Sequence, residues 1–94
     1  MSKPVRAHVI ISGRVQGVFF RMETQKAAQR IGGIAGWVRN RQDGTVEAVY
    51  EGDEQKVAEM LEWSKQGSPQ ARVDRVDVEW ESPAGDLNAF EITH

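Results

Sequence analysis

Residues 4–31, PVRAHVIISGRVQGVFFRMETQKAAQRI, contain the change of hydrophobic spacing that decides the fold. In the first part of this stretch, apolar side chains recur at every second position, at Val5, Ala7, Val9 and Ile11. This alternation predicts a β-strand over residues 4–13 with one buried face. The spacing then becomes helical, with one face formed by Phe20, Thr24, Ala27, Ala28 and Ile31. It predicts a helix that begins at Arg21 and is stopped by Gly32-Gly33.

The remainder of the chain predicts four more strands and one more helix. Residues 34–41 and 45–51 are rich in β-forming residues, and Gln42-Asp43-Gly44 joins them as a tight hairpin. Asp53 suits the N-cap of a second helix, one face of which is formed by Val57, Met60, Leu61 and Ser64. Two further strands show alternation, the first at Val76, Val78 and Trp80 and the last at Phe90 and Ile92.

The predicted order of elements is therefore β-α-β-β-α-β with a short terminal strand. This is the plan of a ferredoxin-like, two-layer α+β sandwich, in which two helices cover one face of an antiparallel sheet. The chain of 94 residues is long enough for one modest core, so residues 1–94 are predicted to form a single domain. Strands 1 and 2 run in the same direction in this plan. Loop 13–20, Arg21 and residues 39–41 are then expected to converge at one end of the sheet.

The composition excludes several kinds of site. The chain has no cysteine, which rules out thiol nucleophiles, disulfides and zinc sites with cysteine ligands. No apolar run approaches the ~20 residues of a membrane span, and the N-terminus lacks a signal-peptide core. A cytoplasmic protein without membrane contact is therefore expected. The three tryptophans, Trp37, Trp63 and Trp80, are expected to fill the core or to cover the sheet.

Charge is unevenly distributed along the chain. Residues 1–41 contain eight Lys or Arg and one Glu, a formal charge of +7, whereas residues 42–94 contain four basic and thirteen acidic residues, a formal charge of −9. This asymmetry suggests an anionic partner for the first half. The alternative, which composition alone favours slightly, is that the two halves interleave in the fold and neutralise each other.

The loop Gly13-Arg14-Val15-Gln16-Gly17 leads into the first predicted helix. Its glycines allow backbone N–H groups to turn inward, and together with the positive helix end they form a cradle for an anion. Arg21 in the first helical turn opposes the helix dipole, at a cost of ~0.3–1 kcal/mol, unless an anion lies between them. Its guanidinium can then bind two phosphate oxygens at once. A solvated surface arginine is an equally compatible interpretation of Arg21.

Asn40 ends the second predicted strand and shares the parity of Ile34 and Val38, which are assigned to the helix-covered face. Its side chain is expected to point toward the start of the first helix, where an amide can hold a water by its oxygen and its nitrogen. Spacing alone instead favours a purely structural role for Asn40 near the hairpin, since Asn is common near turns.

The two histidines do not form a metal site or a nucleophile–base pair. His8 lies in the first strand, and His94 is expected to be disordered at the chain end.

Two motifs resemble the signatures of the acylphosphatase family. They are ISGRVQGVFFR at residues 11–21 and GWVRN at residues 36–40. The likeness continues through DGTV at residues 43–46 and GSP at residues 67–69, and it covers nearly the whole chain. Many members of the family have glycine where this chain has Phe19, although an aromatic residue there is also familiar in the family.

The resemblance implies hydrolysis of the carboxyl–phosphate anhydride of small acyl phosphates. It implies that the Arg21 guanidinium binds the phosphoryl group together with the backbone amides of Val15, Gln16, Gly17, Val18, Phe19 and Phe20. Asn40 would orient the attacking water. Inorganic phosphate is expected as product and inhibitor, with no metal, no organic cofactor and no nucleic acid, and a monomer is expected.

The implied chemistry suits the few groups available. A carboxylate, whose conjugate acid has a pKa of ~4–5, leaves without a general acid, whereas phosphomonoesters need an acid or a metal.

One alternative function is a non-catalytic anion-binding or regulatory domain of the same fold, which would keep Arg21 but need no Asn40. An RNA-binding sheet is disfavoured because residues 45–50 lack the exposed aromatic pattern and the isoelectric point is near 5.6. A domain of a larger hydrogenase-maturation enzyme would continue into cysteine-rich zinc segments.

Overall fold

The structure, a computed structural model, describes residues 3–94 as five strands and two helices in the predicted order. The elements along the chain are β1 (Pro4–Arg14), α1 (Phe20–Ile31), β2 (Ala35–Asn40), β3 (Val46–Asp53), α2 (Glu54–Gln66), β4 (Arg72–Glu81) and β5 (Phe90–Ile92). Met1 and Ser2, which belong to the predicted domain, lie outside the described residues. Neither of the helices in this described range is long and apolar enough to cross a membrane.

The strands form one sheet in the order β4-β1-β3-β2-β5. The pairs β1–β3, β1–β4 and β2–β3 are antiparallel, as predicted, while β5 runs parallel to β2. β4 finishes at the end of the sheet where β2 begins, since Glu81 pairs with Arg6 of β1. The chain then starts β5 opposite Gly36, at that same end, and must follow the direction of β2. The ferredoxin-like α+β fold is thus confirmed, with a mixed sheet.

The hydrophobic core lies between the two helices and one face of the sheet. Of the predicted inward positions of β1, Ala7, Val9 and Ile11 are buried and Val5 is partly buried, and the predicted positions of α1 up to Ala28 are buried. In α2 the predicted face holds Val57, Met60 and Ser64, with Leu61 partly buried at its edge. Each fully buried large apolar side chain contributes ~1.5–3 kcal/mol, so this layer is the main source of stability. Asp53 occupies the predicted N-cap position of α2 but makes no side-chain capping bond.

The three tryptophans occupy different environments. The Trp63 ring of α2 is partly buried, and its centroid lies 5.5 Å from that of Phe20. The guanidinium carbon of Arg39 lies over the ring of Trp37 in β2, 5.9 Å from the centroid of that ring. Trp80 is 58% exposed and so does not fill the core, the first of the two expected positions. The reason is its strand, since β4 forms an edge of the sheet and Trp80 has a neighbouring strand on one side only.

The end of the sheet at which β1 and β2 finish positions the candidate site. β1 and β2 are both antiparallel to β3, so they point the same way and end together, at Arg14 and Asn40. The pairing of β1 with β4 shifts register between Ser12 and Gly13. Gly13 has φ 129°, and a Cβ there would collide with the backbone of β4, so only glycine fits. The loop 15–19 follows and leads directly into α1.

Candidate active site

A cavity of about 430 Å³ opens at this end of the sheet. Its wall contains six of the eight predicted site residues, namely Val15, Gly17, Phe19, Phe20, Arg21 and Asn40. The convergence predicted from the strand directions is therefore confirmed. The two other predicted residues, Gln16 and Val18, lie behind the wall, where they make the hydrogen bonds that hold the loop.

The loop between β1 and α1 presents a run of unpaired backbone amides. Within residues 3–94, no N–H group from Val15 to Met22 donates to a backbone carbonyl. The first hydrogen bond of α1 runs from the Glu23 N–H to the Phe19 carbonyl, at 3.0 Å. Free N–H groups at a helix start carry partial positive charge and bind anions. The wall of the cavity therefore has the electrostatics of a phosphate cradle.

Two residues with positive φ shape this cradle. Gly17 has φ 74°, and Phe19, with φ 60° and ψ 27°, is the one non-glycine residue of the described range in the left-handed region. Side chains at such positions cost ~1–3 kcal/mol of backbone strain and persist only where the surroundings fix them. Alternation of left-handed and ordinary residues turns successive N–H groups to one side. The buried side chains of Val18 and Phe20, on either side of Phe19, hold this conformation.

Side-chain hydrogen bonds attach the loop to both neighbouring segments. Gln16 Nε2 donates to the carbonyls of Arg41, at 2.8 Å, and of Thr45, at 2.9 Å, at the two ends of the β2–β3 turn. On the other side, Ser68 Oγ donates to the Val18 carbonyl at 2.8 Å. The C=O and N–H of a trans peptide point in opposite directions, so this bond turns the Phe19 N–H away from Ser68. The loop is thus held in shape without using its amides.

Arg21 is the second residue of α1 and supplies a cation to the cavity wall. It is half-buried, and within residues 3–94 it forms no ion pair with a carboxylate. Arg39, Arg72 and Arg75 each pair with an acidic neighbour, whereas Arg14 and Arg30, like Arg21, form no such pair within the described range. An unpaired guanidinium beside free helix amides makes the cavity strongly attractive to an anion with several oxygens.

Asn40 ends β2, and its side chain reaches the same cavity, as the parity of the strand predicted. Its Oδ1 is buried and has no hydrogen-bond partner in the part of the protein that the structure describes. A buried acceptor without a partner costs ~1–3 kcal/mol, and buried polar groups are nearly always bonded. The side chain that lines the cavity therefore carries an acceptor that no contact in the described part of the protein satisfies.

The histidines lie in two places. His8, on the open face of the sheet, contacts Glu47 through Nε2 and Oε2 at 2.6 Å, and Arg39 Nε donates to the other Glu47 oxygen at 2.6 Å. Burial opposes ionisation of Glu47, but the bonds from His8 and Arg39 outweigh it and lower its pKa. His94 was expected to be disordered, and the structure places it instead in the cavity wall, next to β5. No group of three potential metal ligands occurs among residues 3–94.

Sequence reasoning missed three residues of the wall, Met22, Ile92 and His94. Met22 follows directly after the signature that ends at Arg21, so helical spacing from Phe19 was the available signal. Ile92 and His94 reach the cavity because β5 pairs with β2 beside Asn40. That pairing was not readable from the chain, since a strand of three residues carries no information about its partner.

The acylphosphatase family model matches residues 7–92, a range that includes Arg21 and Asn40. The chain belongs to the acylphosphatase family. An acylphosphatase of Syntrophobacter fumaroxidans is 59% identical over 88 residues, which cover 94% of this chain and 90% of that protein. An acylphosphatase of Pelotomaculum thermopropionicum is 51% identical over 87 residues, with 93% and 94% covered. The predicted family and enzyme class are confirmed.

Solved structures agree with this assignment. The crystal structure of an acylphosphatase from Bacillus subtilis matches with a TM-score of 0.91 and 37% sequence identity, over 96% of this chain and 99% of that one. The acylphosphatase fold therefore extends over the α+β sandwich described above. Apart from His94, the residues of the cavity wall lie within residues 7–92, which the family model matches.

Proposed function

We propose that this chain hydrolyses the carboxyl–phosphate anhydride of acyl phosphates to a carboxylate and inorganic phosphate. Arg21 and the amides of Val15–Phe20 hold the phosphoryl group, and Asn40 orients the attacking water. The observation that carries this proposal is the meeting of three unsatisfied features at one cavity. They are the run of free amides, the unpaired guanidinium and the buried, unpartnered Asn40 Oδ1.

The cradle recognises the phosphoryl group by charge and shape. The Arg21 guanidinium donates to two phosphoryl oxygens, and the loop amides donate to the others, in the region where the helix dipole is most positive. Negative charge on these oxygens is shared in the transition state of phosphoryl transfer, so donors held in place stabilise it. The hydrogen bonds of Gln16 and Ser68 keep the donors in position before substrate arrives.

Asn40 acts on the nucleophile. Its Oδ1 accepts a hydrogen bond from the water and leaves a lone pair of that water directed at phosphorus. The P–O(water) bond forms while the P–O(carboxylate) bond breaks, and the carboxylate leaves with the bonding electron pair. Both protons of the water finish on the phosphate, because an amide cannot accept one, which gives H₂PO₄⁻ and RCOO⁻ from a substrate dianion. Positioning rather than proton abstraction is therefore the role of Asn40.

No acid is needed at the leaving group. A carboxylate has a conjugate-acid pKa near ~4–5, so it departs unprotonated at neutral pH. The alkoxide of a phosphomonoester would need protonation or a metal ion, and the proposed site residues supply neither. Metal independence is accordingly part of this proposal. The single domain over residues 1–94 is also proposed, and a cytoplasmic monomer stays a prediction.

Turnover of benzoyl phosphate in the presence of a chelator tests the proposal directly. We expect hydrolysis of benzoyl phosphate, followed by its ultraviolet absorbance, and none of p-nitrophenyl phosphate under the same conditions. Binding of inorganic phosphate without turnover would instead favour the non-catalytic anion-binding domain. Loss of turnover on chelation would contradict the metal-independent mechanism.

A further inference from the structure

We propose that Phe19 and Met22 form the surface that binds the acyl group of the substrate. They make the site selective for acyl phosphates with an aromatic or extended apolar acyl group over the smallest ones. This inference rests on the proposed function, because it concerns the leaving group of the same reaction. We call the two side chains the acyl shelf.

The conformation of Phe19 is the first observation. Its backbone lies in the left-handed region, with φ 60°, which glycine adopts freely and a bulky side chain does not. Yet its ring is 66% exposed, so contacts within the fold offset little of the strain. The adjacent Val18 and Phe20, both buried, already anchor the loop. A bulky ring in a strained, exposed position next to a cavity indicates a role in binding.

Met22 extends the apolar surface made by Phe19. It lies in the first turn of α1, and Phe19 and Met22 together line the cavity and a second hollow beside it. It is 42% exposed. Among residues 3–94, the large hydrophobic side chains with such exposure are Phe19, Met22, Val78 and Trp80, and the first two line the same cavity. A thioether is polarisable and adapts to ligands of different shape.

The acyl shelf lies at the end of the cavity away from Asn40. Beyond Asn40, the cavity borders a hollow of about 470 Å³ formed by residues 39–43 and His94. At the other end, Phe19 and Met22 also form the wall of a separate hollow of about 210 Å³, together with Pro69 and Gln70. Asn40 does not line that second hollow.

The reaction geometry assigns the leaving group to the acyl shelf. Attacking and leaving oxygens lie roughly in line on opposite sides of phosphorus. Water held at the Asn40 end therefore places the carboxylate oxygen at the opposite end, and its acyl group extends over Phe19 and Met22. A methyl group covers little of this surface, whereas a phenyl ring can stack on Phe19 and contact the Met22 sulfur.

The test compares two substrates across matched variants. The kcat/KM for benzoyl phosphate and for acetyl phosphate is measured for the wild type, Phe19→Gly, Met22→Ala and the control Trp80→Ala. We expect the benzoyl-to-acetyl ratio to fall by about 2- to 10-fold in both shelf variants, the range for lost aromatic or sulfur–aromatic contacts. Trp80→Ala removes an equally exposed ring far from the cavity and leaves the ratio unchanged.

Phe19→Gly also makes the loop more flexible, and this change in the phosphate cradle affects both substrates alike. It therefore cancels in the benzoyl-to-acetyl ratio of kcat/KM. The melting temperature of Phe19→Gly is expected to equal or exceed that of the wild type, because the strain is relieved. A wild type that hydrolyses neither substrate refutes the proposed function itself. A wild type that hydrolyses both, with ratios unchanged in both shelf variants, refutes the acyl shelf alone. A fall in only one variant removes the other residue from it.

Discussion

Replacement of Asn40 by alanine is expected to abolish most turnover without destabilising the protein. The side chain contributes a buried Oδ1 that has no hydrogen-bond partner among residues 3–94. Alanine removes this atom, and with it the group proposed to orient the water. Because the fold gains no bond from the amide oxygen, its loss is a change in catalysis rather than in folding.

Two magnitudes set the expected result. Loss of one positioned hydrogen-bonding group in an active site lowers kcat by about 10²- to 10³-fold, so we expect a loss of at least ~10²-fold. Removal of an unsatisfied buried acceptor relieves part of a ~1–3 kcal/mol cost, while the small cavity left by truncation opposes this gain. The free energy of unfolding should then change by less than ~1 kcal/mol. For a domain of this size, that corresponds to a Tm shift below about 4–8 °C.

The assay measures four quantities on the same protein samples. They are kcat and KM with benzoyl phosphate, the Kd of inorganic phosphate by calorimetry, and the Tm by scanning calorimetry. Asn88→Ala, at an exposed asparagine before β5, is the matched control. It should leave kcat, KM and Kd unchanged and alter the free energy of unfolding by no more than ~0.5 kcal/mol. Phosphate affinity should persist in Asn40→Ala, because Arg21 and the loop amides hold the anion.

Two outcomes would refute this reasoning. Turnover by Asn40→Ala near that of the wild type would remove the amide from the mechanism. A loss of unfolding free energy as large as that of a core truncation, about 2–5 kcal/mol, would show that Asn40 supports the fold, and its kinetic effect would then say nothing about water.

Three further changes test the cation, the loop and the open face of the sheet. Arg21→Gln should weaken phosphate binding by about 10- to 100-fold in calorimetry, since a charge-assisted bond contributes ~1.5–3 kcal/mol. The control Arg14→Gln should leave phosphate binding intact. Equal phosphate affinities of the two variants would contradict the role of Arg21. Gln16→Ala removes both bonds to the β2–β3 turn and should lower kcat for benzoyl phosphate; an unchanged kcat would show that the loop keeps its shape without them. The pKa of Glu47 lies below its ordinary 4.5, so its contacts stabilise the fold above that pH and the stabilisation is lost as the pH falls through the lowered pKa. Glu47→Gln should therefore flatten the fall in Tm below about pH 4.5, and an unchanged slope, equal to that of the exposed Glu62→Gln, would contradict this account.

Local periodicity was sufficient to predict the elements of the fold. The alternation in β1 and the helical spacing from Phe20 placed the first two elements to within one residue at each end. Periodicity does not indicate which strands lie next to each other in the sheet. The exposure of Trp80 follows from the position of β4 at a sheet edge, and the parallel pairing of β5 follows from where β4 ends. Both depend on the order of strands, which no short stretch of sequence specifies.

The site was predictable in outline for a similar reason. Strand direction brought Arg21 and Asn40 to one end of the sheet, and parity alone gave the direction of the Asn40 side chain. The left-handed conformation of Phe19 was not predictable, because bulky residues are rarely found there and glycine at position 17 offered an easier turn. The unpartnered state of the Asn40 oxygen depends on every atom packed around it, so only coordinates could reveal it.

Three local costs to folding meet in this one cavity, and their chemistry differs in an informative way. Asn40 leaves an acceptor without a donor, Arg21 sets a cation against the positive end of a helix, and Phe19 strains the backbone to expose an aromatic ring. No partner in the described protein satisfies the acceptor or the cation, and contacts within the fold offset little of the strain at Phe19. Each becomes favourable with a different group: a water for the acceptor, and the phosphoryl dianion and the apolar acyl group of one substrate for the cation and the ring. A simple anion would satisfy only the second, so the set of costs favours an acyl phosphate and its nucleophile over free phosphate as the species for which the site is built.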